Sequence, residues 1–171
     1  MRKLLVVIIG LVILGLINHS IYSREQLISN GKTVLLALAP VDPRSLMQGD
    51  YMALRFAVTA EVRKALRSHH DQSLDSDVSK SGDGYVILQI DETGVGRFSR
   101  IDDASPLKQG EVKMLYRQRG NKVKFATNAF FFQEGNAALY EAAKFGEFKV
   151  AENGDSILVS MWDEQLQKIT P

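Results

Sequence analysis

Histidine and acidic side chains are concentrated in one polar stretch of the chain. They are His69, His70, Asp71, Asp75 and Asp77. These residue types bind metal ions, but adjacent helical residues point about 100° apart and chelate a single ion poorly. The stretch also begins like a calcium-binding loop, yet Lys80 stands where a glycine is needed and Val86 where the bidentate glutamate belongs. We therefore predict a helix end followed by a surface loop over residues 71–84, with no metal site and no cofactor.

A serine hydrolase is the second chemistry that the residue types suggest. Residues 45–50, Ser-Leu-Met-Gln-Gly-Asp, follow an N-terminal apolar segment. They resemble the Thr-Leu-x-x-Gly-Asp part of membrane-bound signal peptidases, in which a lysine activates the catalytic serine. The position equivalent to that serine falls in residues 40–42, which contain no serine, and no lysine lies close to Ser45 in sequence. The sequence thus argues against an enzyme and identifies no catalytic residue, and a membrane-anchored hydrolase remains the least favoured alternative.

Composition excludes further classes of function. The 171 residues contain no cysteine, which rules out disulfides, thiol catalysis and thiolate metal sites. Removing Arg2 and Lys3 from the 21 Lys and Arg residues leaves 19, against 20 Asp and Glu, so the chain beyond its N-terminus is nearly neutral. Nucleic acid binding requires a basic surface, which this composition does not supply. We expect one domain beyond the N-terminal segment, held together by its apolar core.

The N-terminal segment has the pattern of a membrane anchor. Arg2 and Lys3 precede residues 4–17, which carry no charge and no hydrogen-bonding side chain. A helix over residues 4–17 is about 21 Å long, and one that extends to Tyr22 is about 28 Å, close to the roughly 30 Å of the hydrocarbon layer. Residues 21–23, Ile-Tyr-Ser, lack the small residues of a signal-peptide cleavage site. We predict an uncleaved single-pass anchor over residues 1–23 with a cytoplasmic N-terminus, and a cleaved signal is the alternative.

Residues 24–171 show mainly the patterns of β-strands. Turn residues between apolar runs at 91–94, 119–120 and 153–154 predict three hairpins. Residues 129–133, Ala-Phe-Phe-Phe-Gln, are predicted to form a central strand, because exposing so much aromatic surface would favour aggregation.

Two short helices complete the predicted domain. Thr59 is expected to cap the first. The second is predicted over residues 137–145, with Asn136 as its cap and Gly146 ending it in the left-handed conformation. The fold class is therefore α+β: an N-terminal transmembrane helix, then a compact, mostly antiparallel β domain, either a curled sheet or a small barrel, with two short helices.

Residues 40–56 contain the densest run of residues with special backbone roles. Pro40, Pro43, Gly49 and Asp50 lie between two predicted strands and indicate a chain that turns in a fixed way. Gly49 is expected to supply a positive φ, and Asp50 to cap the turn by accepting backbone N–H bonds.

The strand after this turn has two different faces. Leu54 and Phe56 share one face with Met52 and Val58, and we predict that this face fills the core. The opposite face, together with the turn, offers a mixed-charge cluster with one aromatic ring, which suits the docking of a partner. The candidate partner-binding residues are Asp42, Arg44, Asp50, Tyr51 and Arg55.

The same segment resembles a known family. Residues 49–56, Gly-Asp-Tyr-Met-Ala-Leu-Arg-Phe, match the GDYxxLxY signature of a family of uncharacterised bacterial membrane-anchored proteins, except that Phe56 replaces the last tyrosine. Residues 40–44, Pro-Val-Asp-Pro-Arg, and 132–135, Phe-Gln-Glu-Gly, also look like that family. The resemblance implies an N-terminal membrane segment, no established activity and frequent association with polytopic membrane proteins. Together with the cationic flank, it predicts a bacterial inner-membrane protein with an extracytoplasmic (periplasmic) domain over residues 24–171. It supplies no catalytic residue.

Three functions are open at this point. The favoured one is a membrane-tethered accessory or interaction domain whose partners are the bilayer and another integral membrane protein. The second is a sensor that binds a small ligand or a lipid in a pocket of the β framework. The third is the hydrolase. No nucleic acid and no metal partner is expected.

Overall fold

A long N-terminal helix precedes a β-rich domain in the computed structural model, which describes residues 2–39, 47–48, 51–71, 81–120 and 122–171. The described helices are α1 (Arg2–Asn30), α2 (Val58–Asp71) and α3 (Ala137–Tyr140). The described strands are β1 (Lys32–Ala37), β2 (Met47–Gln48), β3 (Tyr51–Ala53), β4 (Ser81–Ile90), β5 (Gly96–Ile101), β6 (Glu111–Arg119), β7 (Lys122–Lys124), β8 (Ala129–Phe131), β9 (Phe145–Val150) and β10 (Ser156–Trp162).

The described strands form three antiparallel sheets. Their orders are β1-β9-β10, β2-β3-β8 and β5-β4-β6-β7. Part of this arrangement is a curled half-barrel, so the predicted α+β fold class with a curled antiparallel sheet is confirmed.

One apolar core joins the three sheets. Leu36 of β1, Met52 of β3 and Met114 of β6 are no more than 2% exposed. Phe148 of β9 is fully buried, and its ring meets that of Phe56 edge to face with the ring centroids 5.2 Å apart. The core thus fixes the relative positions of the sheets and of the strand that carries the GDYxxLxY-like motif.

The three predicted hairpins are confirmed as β4–β5, β6–β7 and β9–β10. Gly94 and Gly154 have φ values of 84° and 90° in two of the turns, a conformation that glycine adopts without strain. In the β4–β5 turn, Oδ1 of Asp91 accepts the backbone N–H groups of Thr93 and Val95, each at 3.0 Å. The Thr93 hydroxyl, followed by these N–H groups, holds the pKa of Asp91 below its ordinary value against the opposing effect of burial.

The first predicted helix ends at Asp71, where a helix end was predicted, but its start differs from the prediction, and so does the end of the predicted loop. α2 begins at Val58, so Thr59 lies inside its first turn and does not cap it. Val58 is buried, which places the start of α2 against the core. β4 begins at Ser81, inside the segment predicted to be a loop. The reason is its pairing with β6, in which Ser81 and Arg119 form the first pair.

Among the strands that the structure describes, the aromatic run forms an edge strand, and the prediction of a central strand was wrong. β8 has three residues and lies at the end of the β2-β3-β8 order. The rings of Phe130 and Phe132 pack on Tyr140 with centroids 5.1 and 5.2 Å away. Because side chains alternate along the strand, Phe131 points the other way and is 74% exposed.

The second predicted helix was too long. α3 has four residues, and Asn136 makes no side-chain cap hydrogen bond. Phe145 begins β9, so pairing with β1 and β10 overrides the helix preference of the Ala-rich segment. Gly146 lies in this strand and does not end a helix. The absence of a side chain there allows close packing, because an added Cβ would be 3.0 Å from Leu158 and 3.1 Å from the Phe56 ring.

α1 has 29 residues and includes a segment, Val7–Asn30, that is long and apolar enough by length and composition to cross a membrane. The predicted boundary between residues 23 and 24 falls inside this helix. The end of α1 contacts the β domain, where Leu27 is only 8% exposed.

Candidate functional site

The motif strand presents two faces, as its alternation predicts. Leu54 and Phe56 are each 4% exposed and belong to the core. Tyr51 is half-buried, Arg55 is exposed, and we call these two residues the motif face. The remaining predicted residues, namely Pro40, Asp42, Pro43, Arg44, Gly49 and Asp50, lie outside the described residues. The predicted clustering of charges around the motif face therefore stays a prediction.

An exposed aromatic ring borders the motif face. Tyr51 of β3 pairs with Phe131 of β8, and their ring centroids are 5.7 Å apart at an interplanar angle of 39°. Sequence reasoning assigned all three phenylalanines of this run to the interior. The period of two that separated Tyr51 and Arg55 from the core also places Phe131 on the face opposite Phe130 and Phe132, but it does not determine which of these faces is exposed.

A cleft of about 1050 Å³ lies between the second half of α1 and the turn that joins β9 and β10. We call it the α1 cleft. Its ionisable side chains are His19, Arg24, Lys32, Lys113, Glu111, Glu152 and Asp155. The volume is that of a small-molecule site, and the lining mixes both signs of charge with apolar groups such as Leu27. No sequence pattern predicted it, because it forms between segments far apart in the chain.

Glu111 is a buried carboxylate beside this cleft. Its Oε1 accepts hydrogen bonds from Arg100 Nη1 at 2.5 Å and from the Ser99 hydroxyl at 3.3 Å, and its Oε2 accepts the Lys108 backbone N–H at 2.9 Å. The Lys108 N–H group, followed by the Arg100 guanidinium, holds the pKa of Glu111 below its ordinary value despite burial. This carboxylate is ionised, and both of its oxygens accept hydrogen bonds. It therefore holds the loop before β6 in place and is not available as a catalytic acid or base.

Glu147 is a second buried carboxylate, on β9. Its Oε2 accepts the hydroxyl of Ser160 at 2.5 Å and Trp162 Nε1–H at 2.9 Å. Burial acts to raise the pKa of Glu147, but these two hydrogen bonds and the nearby cations of Lys168 and Lys149 outweigh it, so the pKa is lowered. Ser160 is 4% exposed and does not line the α1 cleft, so this serine and carboxylate are not placed for nucleophilic catalysis.

Metal ligands do not converge in the part of the chain that the structure describes. No group of three or more His, Asp or Glu side chains there could hold an ion. The side chains of the stretch from His69 to Asp77 lie outside what is described, so the prediction of no metal site in that stretch stays a prediction.

The described chain is thus a curled β domain packed on the end of a helix of membrane-spanning length. It belongs to the GDYXXLXY protein family, whose model matches residues 13–161, from the middle of α1 through the motif strand to β10. The resemblance seen in the motif is therefore confirmed. No curated protein and no solved structure matches the chain.

Proposed function

We propose that this chain is a membrane-tethered accessory domain that works beside another integral membrane protein. In this proposal α1 remains in the bacterial inner membrane as a single-pass anchor, with Arg2 and Lys3 on the cytoplasmic side and the β domain outside the cytoplasm. The cationic N-terminal flank and the length of α1 support this topology.

The direct join between α1 and the β domain carries the proposal. α1 ends at Asn30, and β1 begins at Lys32 after the single residue Gly31. The Gly31 N–H donates to the Leu27 carbonyl at 2.9 Å. A Cβ at Gly31 would lie 2.4 Å from that carbonyl oxygen and 3.0 Å from the Lys149 Cβ, so a side chain does not fit. The join is therefore close-packed, and no flexible linker separates helix from domain.

A rigid join favours a partner in the same membrane. A domain on a flexible linker can reach soluble molecules in many orientations, whereas this domain is held at one height above the bilayer. A partner that is itself fixed in the membrane meets such a surface repeatedly in the same orientation, which lowers the entropic cost of association.

The motif face is the surface that we assign to this partner. Tyr and Arg are enriched among residues that dominate binding energy at interfaces, and here Arg55 is exposed while Tyr51 is half-buried beside the Phe131 ring. The motif face is held rigidly, because Leu54 and Phe56 of the same segment are buried in the core.

Photocrosslinking from the motif face tests this proposal. A photoreactive residue at position 55 of the full-length protein in membranes should form an adduct with an integral membrane protein, identified by mass spectrometry. The matched control is position 63, because Arg63 is also an exposed arginine but lies on α2. Tyr51→Ala should reduce the adduct at position 55, since loss of a dominant contact of about 2 kcal/mol weakens binding roughly 30-fold. Equal yields at positions 55 and 63, or none at either, would contradict the assignment.

The α1 cleft favours a second candidate function, the binding of a small polar lipid fragment. It is large enough for a phospholipid headgroup and lies where α1 approaches its polar end. Soluble glycerophospho-headgroups added to the full-length protein in detergent should raise its Tm, since a ligand at 100 times its Kd adds about 2.7 kcal/mol to the free energy of unfolding. Arg24→Ala should abolish the shift and Arg63→Ala should not. An unchanged Tm at millimolar concentration would exclude this function.

A further inference from the structure

Two large apolar side chains are exposed where the β domain approaches α1. Phe131 is 74% exposed and Leu107 is 47% exposed. Phe131 lines a shallow depression together with Arg24 of α1, and Leu107 lines the α1 cleft together with His19. We call Phe131 and Leu107 the apolar rim. Each member of this rim thus lines a depression that the second half of α1 also lines.

Helix geometry places that stretch relative to a bilayer. A hydrocarbon layer of about 30 Å takes roughly 20 helical residues, so a span that starts after Lys3 ends near Tyr22. Arg24 is two residues further on, which corresponds to about 3 Å. The polar interfacial layer on each side is about 5–8 Å thick. Arg24 therefore falls within this layer, and Phe131 lines the depression that Arg24 also lines.

The register of the β1-β9-β10 sheet gives the same orientation. Lys32 of β1, Val150 of β9 and Ser156 of β10 are aligned at the end of the sheet next to α1. The opposite end, at Trp162, is about 16 Å away along the strands. Phe131 shares its depression with Ser156, so the exposed ring lies at the end of the domain that is near the membrane.

We propose that the apolar rim inserts into the interfacial layer of the bilayer that α1 crosses, and that lipid is the occupant of this surface. The inference rests on the proposed tether. Aromatic and large apolar side chains are stable at this depth, where the ring contacts acyl chains while neighbouring polar groups stay hydrated. The domain is then held by three contacts with the membrane, namely α1, Phe131 and Leu107, which fix its rotation about the α1 axis.

The charges around the rim define the lipid that is required. Arg24, Lys32 and Lys113 exceed Glu152 and Asp155 in the same cleft by one positive charge, and Glu111 is already paired with Arg100. One excess charge adds only about 1 kcal/mol of attraction to an anionic surface, so the apolar side chains and not the charges drive insertion. Insertion should therefore occur in zwitterionic phosphatidylcholine vesicles.

Single-cysteine labelling tests the proposal, and the cysteine-free chain makes it direct. Phe131→Cys and Leu107→Cys, each in the full-length protein, are labelled with an environment-sensitive fluorophore and reconstituted into phosphatidylcholine vesicles. We expect the emission of both labels to be blue-shifted relative to that of the same label at the exposed position of Gln165, and to be lost when brominated phosphatidylcholine is used. Both positions are exposed, so the substitutions should leave the fold intact, which circular dichroism checks.

Two further labels separate this inference from the proposed tether. Gln165→Cys is the matched exposed control at the far end of the sheet and should not be quenched. Leu14→Cys lies in the apolar part of α1 and reports whether the helix is in the bilayer. Quenching at position 14 with values at 131 and 107 equal to those at 165 would overturn the inference and leave the tether standing. Absence of quenching at position 14 would overturn the tether.

Discussion

Replacing Phe148 with alanine is expected to destabilise the β domain by about 3–5 kcal/mol, because it removes a fully buried aromatic ring and leaves a cavity that β9 cannot close. The ring also packs edge to face against Phe56 of the motif, with centroids 5.2 Å apart. The substitution should therefore weaken the packing of the motif strand as well as that of the β1-β9-β10 sheet. Urea unfolding followed by circular dichroism gives the change in the free energy of unfolding.

Phe131→Ala is the matched control for this prediction. It deletes the same ring from a position that is 74% exposed, so the free energy of unfolding in aqueous detergent should change by no more than about 0.5 kcal/mol. A similar loss in both variants would show that the two rings do not differ in burial and would contradict the assignment of Phe131 to the edge of the sheet.

Replacing Glu147 with alanine is expected to cost about 2–4 kcal/mol, because the buried hydroxyl of Ser160 and the Nε1–H group of Trp162 lose a charged acceptor. Glu152→Ala is the matched control: this glutamate is exposed in the turn that follows β9, and its removal should change stability little. If Glu147→Ala proved as mild as Glu152→Ala, the hydrogen-bond network would not stabilise the hairpin.

The same carboxylate gives this prediction a pH dependence. The pKa of Glu147 is lower in the folded chain than its ordinary value of about 4.5. Its stabilising contribution is therefore complete above the unfolded pKa and is lost as pH falls through the folded pKa. The difference in stability between the wild-type chain and Glu147→Gln should be constant near neutral pH and shrink below about pH 4.5. A difference that stayed constant down to pH 3 would contradict the lowered pKa.

Local signals predicted the hairpins, and non-local pairing explains the errors. The turn of Asp91 is closed by its own hydrogen bonds to Thr93 and Val95, so its residue types alone identify it. The Ala-rich segment after Asn136 favours a helix locally, but Phe145 pairs with Ala37 of β1, and no local pattern encodes that partner. Tertiary pairing therefore decided the end of α3.

Among the candidate surfaces, one could be predicted from the local sequence, whereas the others depend on non-local pairing. The motif face of Tyr51 and Arg55 follows from alternation along one strand, so the sequence identified it. The exposure of Phe131 depends on which strands pair with β3, and the α1 cleft depends on where α1 meets the β9–β10 turn. Neither can be derived from spacing within a single segment.

In the proposed tethered state, the single glycine between α1 and β1 has a mechanical consequence. Membrane-spanning helices tilt to match the thickness of the surrounding bilayer, with an average tilt of about 20°. Because Gly31 is packed between Leu27 and Lys149, the helix and the sheet turn as one lever. With an arm of about 16 Å between the two ends of the sheet, a change in tilt of roughly 10° displaces the distal end near Trp162 by about 3 Å relative to the proximal end. A change in membrane thickness would thus move the distal end of the β domain sideways.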